Sequence, residues 1–367
     1  MSTIKVRLGA RSYSIHVTPG GLAQLGSLCR KQFESRHAAL ISSPRVYRHH
    51  GRAAERSLRH AGFRVTTLIT RDGELAKTQA HVSALHEKLA RAHFERRDPL
   101  VVLAGGTLGD AAGFAAATYL RGVPLVQVPT TLMAQVDSAI GGKTGINLAT
   151  GKNLVGAIWQ PAFVLCDPRV LETLPVRQFR AGLAELVKYG CIARPALLGR
   201  LQKRLAAGGQ ITAGELSNWI EAGARIKGRI VSLDENERDL RRVLNFGHTF
   251  GHALENVAGY GSLLHGEAVA LGMCVALVLS ERLCGLDSRF RERVLRLLRQ
   301  CFPTVSFRDV PWPRVKAALG SDKKTKGGRQ VWVLLKAPGR PTFVSPAIND
   351  VRKSIATSQK LWAQGSD

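Results

Sequence analysis

The chain has 367 residues, 45% of them apolar and 22% charged, which is enough for two domains with buried cores and excludes a disordered or fibrous chain. Its 53 Lys and Arg against 27 Asp and Glu give a formal net charge of +26. The basic residues are spread along amphipathic segments such as Arg289–Arg299, without interleaved aromatics or a binding motif, so they read as a solvated surface that attracts anionic substrates and not as a nucleic-acid site.

Residues 4–17 read as a hairpin, with Ile4, Val6 and Leu8 against Tyr13, Ile15 and Val17. A helix over 22–33 follows, then strand 37–43, helix 45–61, strand 64–70, helix 76–94 and strand 99–103. This alternation predicts parallel βαβ units. Asp72-Gly73-Glu74-Leu75-Ala76-Lys77 comes after one strand, at the sheet edge where ribose-binding acids lie in open α/β folds; the same residues also suit a helix-capping turn. Strand 99–103 runs into Ala104-Gly105-Gly106-Thr107-Leu108-Gly109-Asp110 and a helix of small residues. Such a turn presents backbone N–H groups to a pyrophosphate, or simply lets a helix pack closely. Thr130 and Thr131 end strand 123–129 at the same edge. Gly141-Gly142-Lys143-Thr144-Gly145 and Gly151-Lys152-Asn153 place two lysines in glycine-rich turns, a pattern that suits an anion and does not match GxxxxGK(S/T).

From Leu171 onward helical periodicity takes over, which predicts an α/β domain over 1–174 and a mostly helical domain over 175–367. Glu185 and Lys188 share a helix face among apolar neighbours, and a buried carboxylate needs a partner: the lysine or a metal. Residues 245–267 carry His248, His252 and His265. Spacing alone favours His248 with His252, one helical turn apart, closing on a divalent cation with an acidic residue; structural histidines are the alternative. The last fifteen residues read as a frayed tail. Cys29, Cys166, Cys191, Cys274, Cys284 and Cys301 form no CxxC pair and read as free thiols of a cytoplasmic protein. The longest apolar run, Ala268–Leu279, is too short for a bilayer, and the N-terminus has no apolar signal core, so no membrane partner is expected.

GGTLGD, YLRG, VPTTLMAQVDSAIGGKTGIN, GKNLVGA, GLAELVKYG, LNFGHTFGHALE and LHGEAVALGM, in this order, resemble the 3-dehydroquinate synthase family of sugar-phosphate cyclases. The resemblance implies a Rossmann-like NAD-binding α/β domain, a mostly α-helical metal-binding domain, an active site between them and a homodimer. It places Zn2+, or Co2+, on Glu185, His248 and His265, which leaves His252 for substrate contact or proton transfer. NAD contacts fall on Asp72, Gly73, Glu74 and Lys77, on Gly105, Gly106, Thr107, Leu108, Gly109 and Asp110, on Thr130, Thr131, Asp137, Lys143 and Lys152, and on the loop Val170, Leu171, Glu172 and Thr173. Substrate contacts fall on Asp137, Lys143, Lys152, Asn153, Lys188, Lys227, Arg241, Asn245, His252 and Lys323 or Lys324; Glu237 orients its neighbours and Arg121 reaches across the dimer. Ala104 stands where the family usually has Gly, and Leu148-Ala149-Thr150 where it often has His-Pro.

The implied reaction takes 3-deoxy-D-arabino-heptulosonate 7-phosphate to 3-dehydroquinate by transient oxidation, loss of phosphate, re-reduction and aldol closure. Alternatives are a cyclase of the 2-deoxy-scyllo-inosose or valiolone type, or a metal-dependent alcohol dehydrogenase. Lys227, Arg241 and Asn245 suit a substrate with a carboxylate.

Overall fold

The computed structural model describes residues 2–258, 263–307, 312–320, 325–326 and 329–364; Lys323 and Lys324 lie outside them. Strands β1 (Ser2–Val6) and β2 (Tyr13–Val17) pair antiparallel with Ile4 opposite Ile15, so Leu8, expected in the ladder, lies beyond it. Then come α1 (Leu25–Gln32), β3 (His37–Ser42), the single turn α2 (Pro44–Val46), α3 (Arg52–His60), β4 (Arg64–Ile69), α4 (Gln79–Arg91), β5 (Leu100–Ala104), α5 (Gly106–Thr118) and β6 (Leu125–Pro129). The hairpin β7 (Lys143–Leu148) and β8 (Gly151–Ile158) precedes β9 (Phe163–Cys166). Helices α6 (Val176–Ile192), α7 (Ala196–Ala207), α8 (Ala213–Leu233), α9 (His248–Ala258), α10 (His265–Cys284), α11 (Ser288–Cys301) and α12 (Trp312–Gly320) follow. Short strands β10 (Thr325–Lys326) and β11 (Arg329–Gln330), the hairpin β12 (Trp332–Ala337) and β13 (Arg340–Val344), and α13 (Ile348–Ala363) complete the chain.

The chain divides into two compact units, one of residues 1–179 with 211–236, the other of 180–210 with 237–367. The first is built on a seven-stranded sheet of order β1-β2-β9-β6-β5-β3-β4, parallel from β2 onward. β3, β5 and β6 are buried throughout, because helices cover both faces of a parallel sheet and leave no polar side to alternate with. Ala111, Ala112, Ala115 and Ala116 of α5 are wholly buried, and a Cβ on Gly113 would stand 2.6 Å from Thr144 Cγ2. The small residues therefore seat β7–β8 on this helix.

Three segments differ from the sequence reading. The lysine-bearing turns belong to a β-hairpin, since Gly145 pairs with Gly156 where a side chain on either would strike the facing backbone. Residues 211–236, expected beyond a single boundary at Leu174–Pro175, pack with the first unit: the Arg7 N–H donates to Ser232 Oγ at 2.9 Å, and a Thr212–Glu215 capping box starts α8. The expected frayed tail is α13, anchored by buried Val351, Ile355 and Trp362, with Trp362 Nε1 donating to Val305 O at 2.8 Å.

The second unit is mainly helical. Glycines let α9 and α10 approach closely: a Cβ on Gly272 would lie 1.8 Å from Gly247 O, and one on Gly251 would lie 3.1 Å from Ala268 O. Among the described residues no helix is long and apolar enough to cross a membrane. All six cysteines are free, and all but Cys284 are buried. Burial pushes the thiols of Cys29, Cys274 and Cys301 up to about 12 and raises those of Cys166 and Cys191 as well. A chromogenic disulfide reagent at pH 8 is expected to titrate only Cys284 in the folded protein and all six thiols after denaturation. Rapid reaction of more than one thiol in the folded protein would contradict this burial.

Candidate active site: a carboxylate–imidazole cluster and a strand-end cradle

Helix α6 carries Glu185 at 0% exposure and Lys188 at 1%. The Lys188 ammonium forms a close ion pair with Glu185 Oε2. A carboxylate so fully withdrawn from water is costly without further cationic partners. Two imidazoles approach it. His248 Nδ1 is 3.2 Å from the Phe246 carbonyl, which only accepts, so this nitrogen carries the proton and Nε2 keeps its lone pair. That Nε2 lies 3.7 Å from Glu185 Oε1. Nitrogen and oxygen donors on one tetrahedral ion are about 3.4 Å apart, so a few tenths of an ångström of adjustment suffices.

His265 starts α10, and Gly266 beside it explains how it reaches the cluster. A Cβ there would lie 2.0 Å from Ala181 O, one helical turn before Glu185. The missing side chain thus brings the first turn of α10 against the backbone of α6. One donor atom each from Glu185, His248 and His265 lie within 4.8 Å of one another. The chemistry of this set, one carboxylate oxygen and two imidazole nitrogens, fits a tetrahedral divalent ion that keeps a position open. His252, Glu255 and His265 form a second group within the same limit. Spacing favoured the His248–His252 pair; the fold puts the two imidazoles in different groups, with rings 5.4 Å apart and perpendicular. Glu255 was missed, although it sits one turn beyond His252. Its Oε2 is 3.2 Å from His265 Nδ1. Burial disfavours the charged His265 ring, but the hydrogen bond and charge of Glu255, with Glu185, outweigh it and raise its pKa.

In the first unit the cofactor-type residues lie after the carboxyl ends of β4, β5, β6 and β9, the edge at which open α/β sheets bind ligands. Asp72 caps a 3-10 turn over Gly73–Ala76, accepting from the Gly73 N–H at 2.7 Å. Gly105 begins α5 without a side-chain cap, and a Cβ on Gly106 would meet Ser138 Oγ at 2.4 Å. Gly105, Gly106, Gly109, Asp110 and Ser138 line a small cleft there. Thr130 is buried, and Thr131 Oγ1 accepts from the Ala134 N–H at 3.1 Å. Residues Val170–Thr173, read as loop, form the end of a 3-10 helix over Pro168–Thr173, with Val170 and Leu171 buried.

Five of the expected site residues share one polar network with Asn147. Lys77 Nζ is 2.7 Å from Asp110 Oδ2 and also bonds Asn153 Oδ1. Lys152 Nζ is 3.5 Å from Glu74 Oε1, while Asn147 donates to Glu74 Oε2 at 2.6 Å and accepts from the Asn153 N–H at 2.9 Å. Asn147, also missed, ties the hairpin tip to the turn after β4. Burial raises the Asp110 pKa, and Lys77 opposes the shift. Nearby, buried Lys227 of α8 meets Asp137 at 2.6 Å.

Sequence models of the 3-dehydroquinate synthase N-terminal and C-terminal regions match residues 67–181 and 182–325. A 3-dehydroquinate synthase of Pelotomaculum thermopropionicum is 43% identical over 341 residues, covering 93% of this chain and 92% of the relative. One from Microcystis aeruginosa is 42% identical over 361 residues, covering 97% and 98%. The chain belongs to the 3-dehydroquinate synthase family. Among solved structures, a 2-epi-5-epi-valiolone synthase from Streptomyces hygroscopicus with NAD+ and Zn2+ bound superposes at TM-score 0.86, with 27% identity over 95% of this chain and 97% of that one. A 2-deoxy-scyllo-inosose synthase complexed with carbaglucose-6-phosphate, NAD+ and Co2+ gives 0.85, with 26% identity over 96% and 99%.

For a member of this family, the backbone strain is informative. Among the described residues, five non-glycine residues have positive φ: His93, Leu120, Arg121, Asn153 and Glu237. Three of them, Arg121, Asn153 and Glu237, are among the residues expected at the site, and such strain persists where surrounding contacts enforce it. Asn245 Nδ2 donates to Glu237 Oε1 at 3.0 Å, and Arg241 between them is buried at 1% exposure. Arg121 and Lys143 are exposed. Replacing Gly266 by Ala is expected to lower stability by about 1–3 kcal/mol through overpacking, and to weaken divalent-metal retention by displacing His265. Thermal melting with and without added Zn2+ measures both effects; unchanged melting in both conditions would remove the proposed cause of the convergence.

Proposed function

We propose that this chain converts 3-deoxy-D-arabino-heptulosonate 7-phosphate to 3-dehydroquinate and inorganic phosphate, a phosphate-eliminating lyase step of the shikimate pathway. The observation that carries the reading is the convergence of Glu185, His248 and His265, one donor atom each within 4.8 Å, with Glu185 wholly buried. Relatives named for this reaction, about 40% identical over nearly the whole chain, support the substrate; the NAD+ and Zn2+ or Co2+ of the two solved neighbours support the cofactors. Glu185, His248 and His265 would hold the metal ion, and the strand ends after β4, β5, β6 and β9 would hold NAD.

When bound, NAD supplies a hydride acceptor that is regenerated in each turnover, and the metal ion supplies a Lewis acid for the substrate's oxygens. The chain's own residues do the rest. Lys143, Lys152, Asn153, Lys188, Lys227, Arg241 and one of Lys323 or Lys324 hold the phosphate and the carboxylate, whose opposite placement on the substrate fixes its orientation. Asp137, ion-paired with Lys227, keeps that ammonium charged and in place. Glu237 positions Asn245 through their hydrogen bond. His252, outside the Glu185 set, would serve as the proton carrier. The protein acts as a cytoplasmic homodimer in which Arg121, on an exposed strained turn, serves the neighbouring subunit; the free cysteines suit that compartment.

With the heptulosonate phosphate, NAD and Zn2+, purified protein is expected to release one phosphate per 3-dehydroquinate with no net NADH. Accumulating NADH would support a dehydrogenase and overturn the lyase reading. A carbocyclic product from a substrate lacking the carboxylate would support a neighbouring cyclase. His248→Ala is expected to lose bound metal and turnover together, and full metal occupancy by elemental analysis would contradict the ligand set. Mixed inactive Arg121→Ala and Lys188→Ala subunits are expected to regain activity; no recovery would count against a shared site.

A further inference from the structure

Resting on the metal reading above, we infer that Glu255 is the residue that positions His265 for the ion: it holds the Nδ1 edge of the ring and so commits the opposite nitrogen, Nε2, to the metal. Three observations converge. Glu255 Oε2 lies 3.2 Å from His265 Nδ1, and Glu255 is buried at 8% exposure, so the carboxylate is fixed beside the ring. A carboxylate in hydrogen-bond contact with one ring nitrogen occupies the edge that an ion on that nitrogen would need. The two nitrogens of an imidazole point their lone pairs in widely divergent directions, so the same carboxylate and an ion on Nε2 do not compete. His248 repeats the arrangement with a different acceptor: its Nδ1 is held by the Phe246 carbonyl, and its Nε2 faces Glu185. Both imidazoles of the set are therefore fixed at Nδ1, one by a neutral carbonyl and one by a carboxylate.

The overlapping group of His252, Glu255 and His265 is the competing assignment, in which Glu255 is itself a ligand. An ion there would share His265 with Glu255 and displace the hydrogen bond that already satisfies the carboxylate. Glu185, by contrast, is wholly buried, with the Lys188 ammonium on Oε2 and His248 Nε2 3.7 Å from Oε1. The demand for a cation therefore sits at Glu185, and Glu255 acts through His265. A carboxylate in that role also makes the ring a stronger donor than a carbonyl does, and losing such a partner typically costs about 10–100-fold in metal affinity.

The test is Co2+ binding to the metal-free protein, read as affinity by equilibrium dialysis and as ligand geometry by the visible absorption of the bound ion. Glu255→Gln keeps the shape and removes the charge; Glu255→Leu removes the acceptor as well. The expected result is about tenfold weaker binding for Gln and up to about a hundredfold for Leu, with unchanged visible spectra at saturation. The melting temperature of metal-free Glu255→Gln is expected to match that of the unsubstituted protein, which a purely structural role would not give. Equal Co2+ affinity in both variants overturns the inference. A changed spectrum in saturated Glu255→Gln also overturns it, because Glu255 would then be a ligand. Should both variants fail to fold, Glu255→Asp decides: it keeps the charge one methylene further from the ring, so weakened affinity supports the inference and equal affinity overturns it. Failure of the unsubstituted protein to bind Co2+ or Zn2+ would instead sink the metal reading itself, a result distinct from normal binding with indifferent variants.

Discussion

A carboxylate with no access to water, held against a lysine ammonium of its own helix, governs the second unit. Glu185 is surrounded by Leu183, Ala184, Leu186 and Val187, all buried, so its charge is tolerable only beside positive charge. Lys188 supplies some, from one turn away on the same helix. Two imidazoles with Nδ1 engaged elsewhere supply the place for more. Such an arrangement is a poor way to stabilise a fold, since a buried ion pair seldom repays its desolvation. It is a good way to hold a divalent ion, and the helices are arranged to permit it. Gly266 admits the backbone of α6, and Gly251 and Gly272 admit α9 against α10. The glycines of this stretch are absences of side chain that let three separate segments bring their donors within 4.8 Å.

The first unit solves a different problem by different means. The residues expected to bind a cofactor lie at the ends of parallel strands, whose shared direction gathers the segments after β4, β5, β6 and β9 at one edge. The hairpin β7–β8 then folds over α5 because Gly113 leaves room for Thr144, and its tip delivers Lys152 and Asn153 to Lys77, Glu74 and Asp110. Asn153 holds a positive φ while its amide N–H and side chain are both engaged, so the network offsets the strain of its backbone.

Much of this was legible in the sequence because it follows from period and punctuation. Alternating strand and helix segments announced the parallel sheet, and Gly105–Gly106 announced the uncapped start of α5. What was not legible depends on packing between distant segments. The β7–β8 hairpin read as two turns because Gly145 and Gly156 look like breakers in one dimension; in three they are a facing pair with no room for side chains. Helix α13 read as a tail because its buried face mixes Ser354 and Ser358 with Val351, Ile355 and Trp362, which dilutes the apolar period. Residues 211–236 were given to the wrong neighbour because helical periodicity does not say which sheet a helix lies on. The family motifs supplied the Glu185, His248 and His265 set, which spacing alone had not.

The departure at the histidines shows why spacing misleads. Residues four apart on a helix share a face, and from that the His248–His252 pair followed. Sharing a face does not mean aiming at one point. The two rings stand perpendicular, 5.4 Å apart, and the His265 ring lies 5.2 Å from one and 5.9 Å from the other. Which ring joins the carboxylate is settled by what holds its other edge. The Phe246 carbonyl accepts a hydrogen bond from His248 Nδ1 and leaves Nε2 facing Glu185 at 3.7 Å. His252 falls instead into the group with Glu255. A ring bound to a cation has lost the lone pair with which it would accept a proton, so one imidazole cannot serve both tasks. Two histidines one turn apart thus fall into different donor groups, and under the proposed function the helix presents a ligand and a proton carrier side by side.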